Sequence, residues 1–326
     1  MKKTDLTALL QKAGLLPLNA SCSDLLGDDA VVKIAADDIA LVENVDVFTP
    51  IIDDPFTQGE IVACNATNDV FAMGVERILS LQAFLAYPAE MSDDIAVGVL
   101  KGMSHFMRNL GSDVTGGQTI TNPCPVFGGI CIGVAHPDDV IYSSGARPGD
   151  AVLLTKPLGI QSAMRSYRDL KDEKRDALLE RFTEQELETM QDIAIRIMTQ
   201  SNLEVAKAMQ HVGAHAATDI TGFGLLGHAE NVSSLSGVDI VFESLPVIHG
   251  ILPLAEYFGH KVSTGFAAET AGGMLVFLDP EKVEAFSSLL QESRLPCWSV
   301  GYVSESMNTP SSRLAEDVQF IETEFP

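Results

Sequence analysis

The segment Ala217-Thr218-Asp219-Ile220-Thr221-Gly222-Phe223-Gly224-Leu225-Leu226-Gly227-His228 constrains this chain more than any other. It places one carboxylate, two hydroxyls and three glycines in twelve positions and then runs into apolar sequence. Glycines let a backbone come close to a ligand and leave N–H groups to face phosphate oxygens. A helix that begins at such a turn adds its positive end. Asp219 alone would repel a phosphate. A Mg²⁺ ion between them reverses the sign, because a hard dication takes carboxylate and phosphate oxygens together. The segment reads as part of a metal–nucleotide site.

Charge narrows the partners. The formal net charge is −24, from 45 acidic and 21 basic residues. Nucleic acid is excluded as a main partner, since neutralising its phosphates needs clustered Lys and Arg. A small anionic substrate would have to be held by metal ions or backbone donors. Five cysteines, Cys22, Cys64, Cys124, Cys131 and Cys297, form no C-x-x-C pair, which points to reduced thiols. Met1-Lys2-Lys3 starts like a signal peptide, but Asp5, Gln11 and Lys12 interrupt its apolar region. No run approaches the roughly 20 apolar residues of a spanning helix. We therefore expect a soluble, cytoplasmic protein with no membrane partner.

The chain mixes α and β elements in two halves. Val31 to Ala35 and Ile39 to Phe48 are β-rich and flank a hairpin turn. Helices are expected from Glu60 to Gly74 and from Met91 to Leu110, with strands over Ile78 to Ala86 and Val126 to Ala135. The polar break Ser143 to Asp150 divides domains 1–145 and 146–326. Beyond it, Ala151 to Thr155 is a strand and Asp169 to Arg181 an exposed helix. Thr183 caps a further helix with Glu186 reaching back. On that helix Leu187, Met190, Ala194, Ile197 and Met198 share a face and form core. Strands over Val238 to Glu243 and Met274 to Leu278 and a helix from Pro280 to Gln291 follow.

Acidic residues recur in unusual places. In the helix from Glu60, residues Val62, Ala66, Val70 and Met73 occupy one side, while Asn65, Asn68 and Asp69 form another stripe. Asn and Asp are poor helix-interior residues, so the stripe is read as facing a ligand. Gly27-Asp28-Asp29-Ala30 enters a strand, and Asp46 lies within one, where an unpaired buried carboxylate is costly. Asp53-Asp54-Pro55 is read as a plain turn. Gly116-Gly117-Gln118 ends a strand and could bring backbone to a ligand. No Walker-A motif is present. Gly222 to Gly227 matches G-x-G-x-x-G, with Glu243 further on, but His215 to Asp219 is not the buried apolar strand that a dinucleotide fold requires.

These blocks, in this order, resemble one family. Ala217 to His228 resembles the ATDxTGFGLLGH signature of selenophosphate synthetase (selenide, water dikinase). So do Asp46 to Pro55 leading into Asn65 to Gly74, Gly27 to Val31, Gly116 to Gln118, Thr155-Lys156-Pro157-Leu158-Gly159 and Thr270-Ala271-Gly272-Gly273. The resemblance implies a two-domain, mixed α/β (α+β) fold like aminoimidazole ribonucleotide synthetase, with N-terminal domains pairing in a homodimer. It also implies conversion of ATP, selenide and water into selenophosphate, AMP and orthophosphate. Carried over by motif, Asp29, Asp69 and Asp219 would bind Mg²⁺. Asp46, Asp69, Gly116, Gly117 and Gln118 would line the ATP site.

The chain also departs from the family pattern. The family carries a glycine-rich loop with a Cys (or selenocysteine) and a Lys three residues on. Residues 1–26 hold no such loop, and Ser21-Cys22-Ser23-Asp24 has neither its glycines nor its lysine. Cys22 reads as an ordinary small buried residue. Gln118 replaces the usual histidine, and Lys156 receives no catalytic role. Besides the dikinase, two readings follow: a nucleotide-binding homologue without dikinase activity, and a paralogue phosphorylating another small nucleophile.

Overall fold

The computed structural model describes residues 8–9, 11–14 and 27–326. Cys22 and most of the segment that departs from the family pattern lie outside them.

The first half builds a five-stranded sheet in the order β1-β2-β5-β3-β4. Its strands are β1 (Val31–Ala36), β2 (Ile39–Phe48), β3 (Arg77–Tyr87), β4 (Val114–Thr121) and β5 (Val126–Ala135). Helix α1 (Pro55–Ala72) lies on one face. Helix α2 (Asp93–Asn109) makes the crossover that the parallel β3–β4 pair requires. In β2 the even positions turn inward, with Ala40 and Val42 buried, and Asp46 shares this side with them. The odd positions turn outward. There Val31, Val45, Val47 and Ile120 are 42–62% exposed and form a broad apolar face.

The second half builds a six-stranded sheet in the order β11-β8-β10-β6-β9-β7. Its strands are β6 (Ala151–Leu154), β7 (Ala216–Asp219), β8 (Val238–Ile248), β9 (Met274–Leu278), β10 (Trp298–Glu305) and β11 (Ser312–Thr323). Helices α3 (Ile160–Asp169), α4 (Arg175–Leu179), α5 (Glu184–Thr199), α6 (Leu203–Val212), α7 (Gly224–Ser236), α8 (Ile251–Phe258) and α9 (Val283–Glu292) complete it. The capping box at Thr183 and Glu186 is present, and Leu187, Met190, Ala194, Ile197 and Met198 are all buried.

Several local readings need correction. Asp53-Asp54-Pro55 is a helix start: Asp54 caps α1 by accepting from the Thr57 N–H at 2.8 Å, and Pro55 occupies the first turn. Residues 169–181 are not one helix. Asp169 ends α3, and Asp172 then accepts from the Lys174 N–H at 2.7 Å, a local turn that competes with helix. Residues 216–219 are a fully buried strand after all. That strand is an edge strand antiparallel to β9, which rules out the parallel first strand of a dinucleotide fold. Gly116-Gly117-Gln118 sits inside β4 rather than at its end. Gly117 holds φ 149°, and a Cβ there would come within 1.9 Å of the Ala83 carbonyl oxygen on β3. Close strand packing therefore accounts for this glycine.

Candidate active site

Helix α1 is buried along almost its whole length because it serves both sheets. Its inward stripe meets the end of β7, and four acids from distant parts of the chain converge there. Asp29 comes from the turn before β1, Asp46 from β2, Asp69 from α1 and Asp219 from the last position of β7.

Hydrogen bonds hold the group in place. Thr218 Oγ1 donates to Asp29 Oδ1 at 2.8 Å. Asn65 Nδ2 donates to Asp46 Oδ2 at 2.8 Å, while Asn65 Oδ1 accepts from the Ala271 N–H at 2.7 Å. Asn68 Nδ2 donates to Asp219 Oδ2 at 3.4 Å and to the Gly272 carbonyl at 3.1 Å. Asn202 Nδ2 completes the seam, donating to Asn68 Oδ1 at 2.8 Å and to the same carbonyl at 3.0 Å. The Gly272 backbone approaches Ile220 so closely that a Cβ would lie 2.1 Å from the Ile220 oxygen.

The electrostatics are strained. Burial, then the charge of Asp219, drives the Asp29 carboxyl well above its usual range. Asp69 is driven the same way by burial, then by Asp219, Asp46 and Asp29. Burial and then Asp46 push Asp219 up to about 7, against the opposing hydrogen bond from Asn68. Burial pushes Asp46 up to about 6. Four carboxylates kept this close favour either protons or cations. Among the described residues, Asp29 Oδ2 and Asp219 Oδ1 are buried without a hydrogen-bond partner. One ligand atom each from Asp29, Asp219 and His228 fall within 4.8 Å of one another. Two uncommitted carboxylate oxygens suit a hard, oxygen-seeking dication. The Nε2 of His228 accepts from the Thr221 N–H at 3.3 Å, and its Nδ1 stands 4.0 Å from Asp219 Oδ1.

The structure therefore brings together Asp29, Asp46, Asp69 and Asp219. It does not bring Gly116, Gly117 and Gln118 to them within one chain. Strand β4 is three strand spacings from β2, about 14 Å. In register, Gly116 and Gln118 lie on the outer face, opposite Asp46. The Asn65–Asn68–Asp69 stripe divides: the asparagines are the struts of the domain seam and Asp69 joins the acids. Sequence reasoning missed Thr218 and Asn202 as supports. Thr218 stood within the glycine motif, but nothing local marked Asn202.

Lys156 is also explained. It is buried, and its Nζ donates to the carbonyls of Ile197 at 3.0 Å, Gln200 at 2.6 Å and Ala271 at 3.0 Å. Burial pulls its pKa down. An amine with all three donors on backbone carbonyls ties the end of α5 to the Ala271 loop. Glu269 plays a similar part, accepting from the N–H groups of Gly159 and Ile160 at the start of α3 at 2.9 and 2.8 Å.

Family comparisons agree with this architecture. The AIR synthase related protein N-terminal domain matches residues 27–135 and its C-terminal domain residues 147–309. A selenide, water dikinase from Methanococcus maripaludis is 38% identical over 91% of this chain and 89% of its own length. The chain belongs to the selenide, water dikinase family. A second member, from Trypanosoma brucei brucei, is 34% identical over 98% of this chain and 85% of its own length. The fold of this dikinase-family chain is the mixed α/β, two-domain AIR synthase fold. Thiamine monophosphate kinase from Aquifex aeolicus shares it with a TM-score of 0.70 at 18% identity, covering 99% of this chain and all of that one. A hydrogenase maturation protein solved in complex with ATP has a TM-score of 0.63 at 19% identity, over 89% of this chain and 81% of that one. No helix among the described residues is long and apolar enough to cross a membrane.

Proposed function

We propose that this chain is a Mg²⁺-dependent selenide, water dikinase. It would convert ATP, selenide and water into selenophosphate, AMP and orthophosphate. Two phosphoanhydride bonds break in that reaction, one phosphoryl group passing to selenide and the other to water. The observation that carries the reading is the convergence of Asp29, Asp46, Asp69 and Asp219, with Asp29 Oδ2 and Asp219 Oδ1 buried and without a hydrogen-bond partner among the described residues.

Asp29, Asp69 and Asp219 would hold Mg²⁺, and Asp46 and Asp69 would face the nucleotide. Bound there, the cation would neutralise phosphate charge and polarise phosphoryl oxygens. The chain's own residues do the positioning. Thr218 fixes one oxygen of Asp29 and leaves the other open. Asn65 and Asn68 hold Asp46 and Asp219 at fixed separation across the seam. Such preorganisation is what phosphoryl transfer needs most from a protein, because its catalysis is largely placement and charge stabilisation.

The same reading makes the protein a cytoplasmic homodimer. The outward apolar face around Val31, Val45, Val47 and Ile120 is the surface on which we place the second copy. Gly116 and Gln118 lie on that face, so their part in lining the ATP site belongs to the assembly. We place the domain boundary between residues 145 and 146, in the connection between the two sheets.

Purified protein given Mg²⁺–ATP and anaerobic selenide should release AMP and show a new ³¹P resonance. ATP binding with no AMP under any offered nucleophile would overturn the dikinase reading.

A further inference from the structure

A second feature, whose lining holds none of the four acids, carries two arginines. Ile160, Gln161, Arg165, Arg168, His260 and Thr270 are among the residues that line this cavity of about 250 Å³. Among the described residues no carboxylate lines it. In a chain of net charge −24, a pocket lined by two arginines, one of them paired with Asp169 and the other with a backbone carbonyl, is a departure from the average surface.

Its place in the fold ties it to the site. Thr270 precedes Ala271, whose N–H bonds the same Asn65 that holds Asp46. The arginines stand three apart on α3 and so share one side of that helix. Arg168 Nη2 donates to the Pro50 carbonyl at 2.9 Å, and the Tyr167 hydroxyl accepts from the Asp53 N–H at 3.2 Å. These contacts fix α3 against the loop that leaves β2. Asp169 engages Arg165 through Nε at 2.8 Å. Gln161 Oε1 accepts from the Ala268 N–H at 3.1 Å, and His260 Nδ1 meets Ser162 Oγ at 3.0 Å. The N-terminus of α3 is taken by Glu269, so the pocket's positive character comes from its side chains.

The volume is below the range of pockets that enclose drug-sized ligands, which points to a small guest. Arginine forks bind planar or tetrahedral oxyanions. We propose that this pocket is an oxyanion subsite that takes one phosphate group, as free orthophosphate or as the monophosphate of AMP. The proposal rests on the dikinase reading, in which both are products. It would give an acidic protein a place to receive a released anion outside the acid cluster.

Calorimetric titration of the full-length protein at fixed ionic strength tests this, with orthophosphate and AMP in separate arms and Mg²⁺–ATP as reference. Orthophosphate should bind the wild type and bind Arg165→Gln/Arg168→Gln about tenfold or more weakly, with Mg²⁺–ATP affinity unchanged. AMP that competes with orthophosphate identifies the monophosphate as the guest; AMP that does not leaves the free anion. Because Arg168 also braces the Pro50 loop, Arg165→Gln and Thr270→Val are measured singly, each with its unfolding midpoint. Absence of orthophosphate binding in the wild type, equal binding in the variants, or a parallel loss of Mg²⁺–ATP binding would overturn the proposal. A wild type that binds orthophosphate through these arginines yet forms no AMP from ATP would refute the dikinase reading and leave the subsite standing.

Discussion

Replacing Asp219 by asparagine removes one charge from the acid cluster while keeping the side chain's size, and its oxygen can still accept from Asn68. In the folded chain this carboxyl is raised from the usual 3.8 to about 7, by burial and then by Asp46. Between about pH 4 and 7 the folded state therefore keeps a proton that the unfolded state has released. The folded state binds more protons in that window, so stability falls as pH rises through it. At about 1.4 kcal/mol per pH unit, the fully ionised group costs the metal-free fold about 4 kcal/mol, and about 3 kcal/mol of that is lost between about pH 5 and 8. With an unfolding entropy of about 2.1 cal/mol/K per residue over 326 residues, 1 kcal/mol corresponds to about 1.5 °C. Metal-free wild type should then lose at least about 4 °C more in Tm than Asp219→Asn across this range, by scanning calorimetry in EDTA, because the variant also relieves Asp29 and Asp69 of the Asp219 charge. Mg²⁺–ATP should raise the wild-type Tm and leave the variant's unmoved, since only a ligand that binds the folded state stabilises it. Parallel pH slopes, or an undiminished Mg²⁺–ATP shift in Asp219→Asn, would refute the reasoning.

Asp69→Ala should abolish Mg²⁺-dependent ATP binding with far-UV circular dichroism unchanged; retained tight binding would remove Asp69 from the site. Thr218→Val frees Asp29 Oδ1 from its hydroxyl and should weaken Mg²⁺ binding about tenfold in a metal titration, a loss of about 1.4 kcal/mol from one hydrogen bond to a charged group. Lys156→Met leaves the carbonyls of Ile197, Gln200 and Ala271 buried without their donor, and should cost about 3–5 kcal/mol in denaturant unfolding. A cost below about 1 kcal/mol would show that the amine is not a strut. Val45→Arg places a charge on the outward apolar face and should break the dimer proposed above, leaving a monomer in sedimentation; an unchanged dimer would move the interface elsewhere.

Motif and period determined a good deal of this protein. The capping box at Thr183 and the buried stripe of α5 followed from spacing alone, because both depend on residues within a few positions of one another. The acids were legible as oddities: an Asp within a strand, an Asn/Asp stripe on a helix and a glycine-rich turn after Asp219. Tertiary structure decided what each oddity does. Asn65 and Asn68 became struts, because their partners lie on the Ala271–Gly272 loop some two hundred positions away. Lys156 became a brace, because three carbonyls from two distant segments surround it. Gly116 and Gln118 left the cleft, because strand order and register put them at the far edge and on the other face. Hydrogen bonding and desolvation act through space, so residues that look equivalent along the chain part company once the two sheets close on α1.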